Sequence, residues 1–246
     1  TYAVVDGYCP LAAYLGTQGF CLELALRPGT QHSASETEYN IERVLPLAAK
    51  LTASRSGGQA ATPLLFRADS GFDSAKLMCA IGHHASALAR EIAFIIKWNP
   101  RSTPVESLAQ AKVADTGAAW EMLREGKRQC VWSETVQARH GEQCLAVRRI
   151  YRLTERTIDK RGQQMLLPEY ALEGWSTTLP ETFEAPQVIA LYADHGTHEL
   201  RLQFAQASQP AVPVRIPARG RLDLDRGQAI GPRGHRAGRT SLRRGQ

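Results

Sequence analysis

No stretch of the chain is long and apolar enough to span a bilayer, and none reads as a basic-then-apolar leader. A membrane-spanning role is therefore not expected. Cysteine is sparse: Cys9, Cys21, Cys79, Cys130 and Cys144 are odd in number, scattered, and form no C-x-x-C pair. That pattern argues against a disulfide framework or a zinc ribbon and for a reducing compartment, with a cytoplasmic location expected. No H-E-x-x-H order occurs, so His195 and His198 beside Glu199 match no common zinc motif. Lysine is missing from residues 201–246, which hold ten Arg and two Asp, a balance of +8. The other 200 residues hold 20 basic and 22 acidic side chains, a balance of −2, so the net +6 comes from the end of the chain. From Gln209 onward, four prolines and six glycines interrupt any helical or strand period. That composition predicts irregular chain.

The 43% hydrophobic content is enough for a sizeable core. The chain opens inside an apolar, strand-like run at Thr1, which reads as a cut from a longer protein. Residues 2–15 and 20–26 predict a hairpin across the turn Gly16 to Gly19. Ser35 and Glu38 match a capping box ahead of a helix that buries Ile41, Val44, Leu45, Ala48 and Leu51, with Pro46 predicting a kink. Leu64–Phe66 predicts a strand ending at Asp69. Asp73 or Ser74 then caps a helix through Leu77, Met78 and Ile81. His83 and His84 follow that helix and read as solvated. Residues 92–97, nearly all apolar, predict a buried parallel strand. Residues 116–180 predict β-structure, with turns at 139–142 and at Gly162. Val188, Ile189, Leu191 and Tyr192 then make an apolar stripe on a helix that continues to Glu199, with Pro186 near its start. Tyr192, His195 and Glu199 follow at three- to four-residue steps and share one face. The expected architecture is α/β with a mixed sheet.

Two carboxylates carry the candidate chemistry. Asp69 stands at the carboxyl end of a strand, where α/β folds expose ligand-binding groups. Asp-Ser-Gly is also good turn chemistry, so Asp69 can serve only as a cap. Glu199 is the second acid. Carboxylates on different elements suit Mg²⁺, which prefers oxygen ligands, and two such ions can assist phosphoryl transfer.

Four stretches, residues 6–11 (DGYCPL), 26–32 (LRPGTQH), 67–73 (RADSGFD) and 191–199 (LYADHGTHE), together resemble the DDE transposases of bacterial insertion sequences, of the type with a β-rich insertion. The resemblance runs from about Tyr2 to Glu199. It implies a ribonuclease-H-like mixed sheet with flanking helices, two Mg²⁺ ions, and cutting and joining of DNA at transposon ends and target. It also implies a homodimer on DNA and a bacterial, nucleoid-associated location. Residues 1–115 would form the catalytic core lacking its first strand, 116–185 the insertion, 186–206 the catalytic helix and 207–246 an Arg/Gly/Pro-rich tail. Asp69 matches the family's second catalytic Asp and Glu199 its catalytic Glu, both as metal ligands. The family's helix signature of Tyr, Arg, Glu and Lys falls on Tyr192, His195, Glu199 and Gln206. His195, protonated, can still meet a DNA phosphate, whereas Gln206 offers no charge. The first catalytic Asp has no counterpart beyond Asp6, which reads as structural. The Arg-rich end resembles an out-of-frame reading of a GC-rich gene. The expectation is a transposase remnant, weak or inactive as this chain.

Arg148, Arg149, Arg152, Arg156, Lys160 and Arg161 form a basic cluster. It reads equally as a solvated face or as a contact for DNA phosphates. Trp98, Trp120, Trp132 and Trp175 read as packing, with Trp132 and Trp175 alternatively stacking on an unpaired base. The competing functions are a non-catalytic DNA-binding remnant and an unrelated metal-dependent phosphoesterase built on Asp69 and Glu199.

Overall fold

The computed structural model describes residues 8–32, 34–53, 62–101 and 103–193. Tyr8–Leu15 (β1) and Phe20–Pro28 (β2) pair antiparallel around the expected turn, where Gly16 and Gly19 both take positive φ. This hairpin is a two-stranded sheet of its own and does not join the larger sheet. It is tied to the next helix by an ion pair from Arg43 to Glu23 (2.9 Å).

That helix, Thr37–Leu51 (α1), starts without the expected capping box. Glu36 is the N-cap in a left-handed conformation (φ 58°), and it makes no side-chain cap bond. Ser35 sits in the preceding turn, where its carbonyl accepts a hydrogen bond from Arg27 Nη1 (2.9 Å). The Arg27 contact and the turn fix the entry to the helix in place of a Ser hydroxyl. α1 runs on through Pro46 and buries Ile41, Val44, Leu45 and Ala48 as its spacing predicted, while Leu51 is exposed.

Leu64–Ala68 (β3) leads through a short 3-10 turn, Ser70–Phe72, into Ala75–Ala87 (α2). Ser74 caps α2, its Oγ accepting from the Leu77 amide (3.2 Å). His83 and His84 lie inside α2 rather than after it. Ile92–Lys97 (β4) pairs parallel with β3, as its apolar run predicted. Val105–Ala114 (α3) buries only Ala109, so it offered no apolar stripe to read in the sequence.

Trp120–Arg124 (β5), Lys127–His140 (β6), Gln143–Ile158 (β7) and Gln164–Thr177 (β8) form the β-rich block. All of them belong to the same six-stranded mixed sheet as β3 and β4, in the order β3-β4-β8-β7-β6-β5. The junction is antiparallel, with Ile95, Ile96 and Lys97 opposite Thr177, Ser176 and Trp175. Ala185–Ala193 (α4) follows.

Strand alternation gives the sheet two faces. Leu64, Phe66, Phe94, Ile96, Ala138 and Val147 pack toward α1 and α2, with Leu77, Met78 and Ile81. Leu65, Ile95, Ile150, Val131 and Trp175 pack toward α4, against Val188, Ile189, Leu191 and Tyr192. The stripe read from the sequence is thus the buried side of α4, and Val188 is fully buried. No helix among the described residues is long and apolar enough to cross a membrane.

Candidate active site and its neighbourhood

Asp69 follows β3 directly. Leu65 and Arg67 belong to the α4 side of the sheet. Asp69 is still extended (φ −76°, ψ 179°), so alternation assigns it to that side as well. Its Oδ1 accepts the Gly71 amide (2.9 Å), which caps the 3-10 turn. The capping role expected of Asp-Ser-Gly is therefore met. The side chain is exposed, and Oδ2 has no hydrogen-bond partner among the described residues.

Arg67 links this strand to α4. Its Nη1 donates to the Leu191 carbonyl (2.7 Å), across 124 residues of sequence. Leu191 lies in the last described turn of α4. The strand that ends on Asp69 is thereby tied to the helix turn that leads into residues 194–199. The sequence shows Arg67 only as part of a motif. Its partner could not be read there, because the contact is made by folding.

Tyr192 packs edge-to-face on Trp175 (centroids 6.2 Å apart). His195, His198 and Glu199 lie outside the described residues, as do Asp6, Gln206 and residues 207–246. Among the described residues no three His, Cys, Asp or Glu side chains group as metal ligands. Asp69 offers a hard oxygen donor of the kind Mg²⁺ takes, and one carboxylate is too few for a site.

The basic cluster is divided by strand period. Arg148 and Arg152 alternate with the buried Ile150 on the α4 side, and Arg149 lies on the other. Arg148 donates to the Phe183 carbonyl (2.7 Å), and its buried Nε has no partner. Arg149 bonds Ser176 Oγ (3.3 Å) and lies over the Trp98 ring (5.6 Å). Arg152 bonds Glu173, which also receives Lys97 Nζ (2.8 Å). Both cations lie near the Trp175 ring, at 5.2 and 5.6 Å from its centroid. Burial pushes the Glu173 carboxyl up, but hydrogen bonds and charge from Lys97 and Arg152 outweigh it and hold the group below its ordinary value.

Trp175 is 2% exposed, so it is a core residue and is closed to a stacking base. Trp132 stacks on Tyr151 (5.1 Å, 22° between planes), with Lys112 Nζ 5.2 Å from its centroid. Its ring is thus engaged within the protein. A shallow cleft of about 520 Å³ lies beside α4, lined by Val131, Gln129, Arg152, Pro186 and Ile189 among others.

No family model, curated protein or solved structure matches this chain.

Proposed function

We propose that this chain carries part of a DDE-type transposase site, with Asp69 and Glu199 as two of its acids and DNA as its substrate. One observation carries the reading: the Arg67–Leu191 hydrogen bond joins the Asp69 end of β3 to the last described turn of α4. Glu199 lies six residues beyond Ala193, and a fully extended chain covers about 20 Å in that span. The two acids recognised in the sequence therefore start from linked supports. The mixed sheet, with β3 and β4 parallel and helices on both faces, supports a ribonuclease-H-like arrangement.

Mg²⁺ bound between the acids would stabilise the charge that develops in phosphoryl transfer. Asp69 holds its free oxygen toward that role while Gly71 fixes the other. Tyr192 orients the helix by packing on Trp175. Arg148 ties β7 to the segment ahead of α4 through the Phe183 carbonyl, while Arg149 and Arg152 bond within the sheet, to Ser176 and Glu173. These 246 residues supply two acids where the resemblance calls for three, so the activity of this chain is weak or absent. The engaged Oδ1 of Asp69 favours a second reading, a DNA-binding protein without catalysis.

The test is nicking of supercoiled plasmid DNA with Mg²⁺, comparing wild type with Asp69→Asn and Glu199→Gln. The proposal expects slow nicking at most, lost in either variant. Nicking that survives both substitutions would refute the assignment. Fast, complete cleavage would refute the claim of an incomplete site.

A further inference from the structure

The far end of the β-ribbon carries features that the fold itself leaves unexplained. β5 and β6 join at Glu125 and Gly126, and β7 and β8 at Asp159 to Gly162. The two turns are adjacent, since the Thr157 amide donates to the Gly126 carbonyl (2.9 Å). Arg124, Lys127, Lys160 and Arg161 sit at these turns and make no ion pair among the described residues. Most nearby carboxylates are already engaged: Glu155 pairs with Arg128, Glu169 with Arg156, and Asp159 Oδ1 accepts the Arg161 and Gln163 amides. Glu125 and Asp159 set two carboxylates against the four cations of these turns, which leaves them a net charge of +2.

Beside these cations the ladder is irregular. Arg156 opposes Glu169 and Ile158 opposes Gln164, so four residues of β8 face Thr157 alone. Pro168 lies in this bulge and has no N–H to give a ladder. Leu166 is 97% exposed and Leu167 74%. A pair of leucines this bare, beside turns of net positive charge, suits a contact surface.

We propose that this ribbon end docks on duplex DNA, the cations meeting phosphates and Leu166 and Leu167 wedging at a base step. The inference rests on the DNA reading above and names the surface that would serve it. Charge complementarity selects the partner. The two turns are centred two strand spacings apart, roughly 10 Å. That span exceeds a minor groove about 6 Å wide, so phosphates on both of its walls are within reach. Apolar side chains inserted at base steps from that groove unstack and kink the duplex.

The test uses the full chain and a mixed-sequence duplex carrying 2-aminopurine, with anisotropy read across salt concentrations. Wild type should bind and brighten the probe. Lys160→Ala with Arg161→Ala should flatten the slope of log affinity against log salt by about 1 to 2, at roughly 0.9 per phosphate contact. Leu166→Ser with Leu167→Ser should keep the slope, lower affinity about tenfold and abolish the brightening. All four side chains are exposed, so the variants should melt like wild type. Wild-type binding that neither pair alters would overturn the docking tip and leave the DNA reading standing. A wild-type chain that binds no duplex would overturn both. If the leucine pair instead governs binding to phosphatidylserine vesicles, or self-association, with DNA binding unchanged, the tip belongs to that partner and the proposal is wrong.

Discussion

Glu173 and Tyr151 are held in opposite protonation preferences on opposite faces of the same sheet. The Glu173 carboxyl, gripped by Lys97 and Arg152, ionises below its ordinary value of 4.5. A folded-state pKa below the unfolded one gives stability that is present above the unfolded value and lost as pH falls through the folded one. Glu173→Gln should therefore flatten the loss of stability below pH 4.5, measured by urea unfolding. Tyr151 behaves the other way. Burial, then its hydrogen bond to Glu134, push the phenol from 10.0 up to about 12. Its stabilisation is complete below the unfolded value and is lost as pH rises through the folded one. Tyr151→Phe should remove that alkaline decline between pH 10 and about 12. Unchanged limbs in either variant would show that these contacts carry no weight. Neither shift was legible in the sequence, because each depends on partners brought in from other strands. Asp69 was legible, since its place is set locally by the strand end and the Ser-Gly that follow it. Trp175 was legible only as packing, and its burial removes the alternative of base stacking.

At the scale of elements, periodicity located strands and helices well, and fine capping chemistry less well. α4 buries the stripe that spacing predicted, and Ser74 caps α2 as expected. The capping box before α1 did not form, because the helix starts one residue later than the box requires, with Glu36 as a left-handed N-cap and Ser35 in the preceding turn. Turn glycines give a graded prediction. Gly126 takes φ +66°, and a Cβ there would lie 2.4 Å from Ile158 Cγ1. Gly141 takes φ +57° with open space around it. Gly141→Ala should cost about 1–2 kcal/mol for left-handed backbone alone. Gly126→Ala should cost more, because Ile158 must also move, and chemical denaturation will rank the two. Equal costs would mean that Ile158 yields freely. Arg67→Met tests the tie between β3 and α4. Loss of a charged hydrogen bond should lower stability by about 1.5–3 kcal/mol. Hydrogen exchange should quicken in the last turn of α4 and not in β4. Uniform quickening across the sheet would instead mean that Arg67 supports the whole core.

For the whole molecule, the sequence announced an α/β chain with a mixed sheet, and that is the architecture found. It did not reveal that the β-rich block would continue the β3–β4 sheet, because strand pairing between β4 and β8 joins residues about 80 apart. Nor did it reveal that the first hairpin would stand as a separate sheet. The basic run on β7 shows the same gap between local and global reading. Consecutive arginines at 148 and 149 point to opposite faces, and each is engaged inside the protein. The functional account therefore rests on one strand end, one helix end and the arginine between them. The most direct test of it is a Mn²⁺ titration of the full chain followed by electron paramagnetic resonance, with Mn²⁺ standing in for Mg²⁺. The account predicts weak binding that falls at least tenfold in both Asp69→Asn and Glu199→Gln, and that is unchanged in Asp159→Asn. Wild-type binding left intact by the first two substitutions would contradict it.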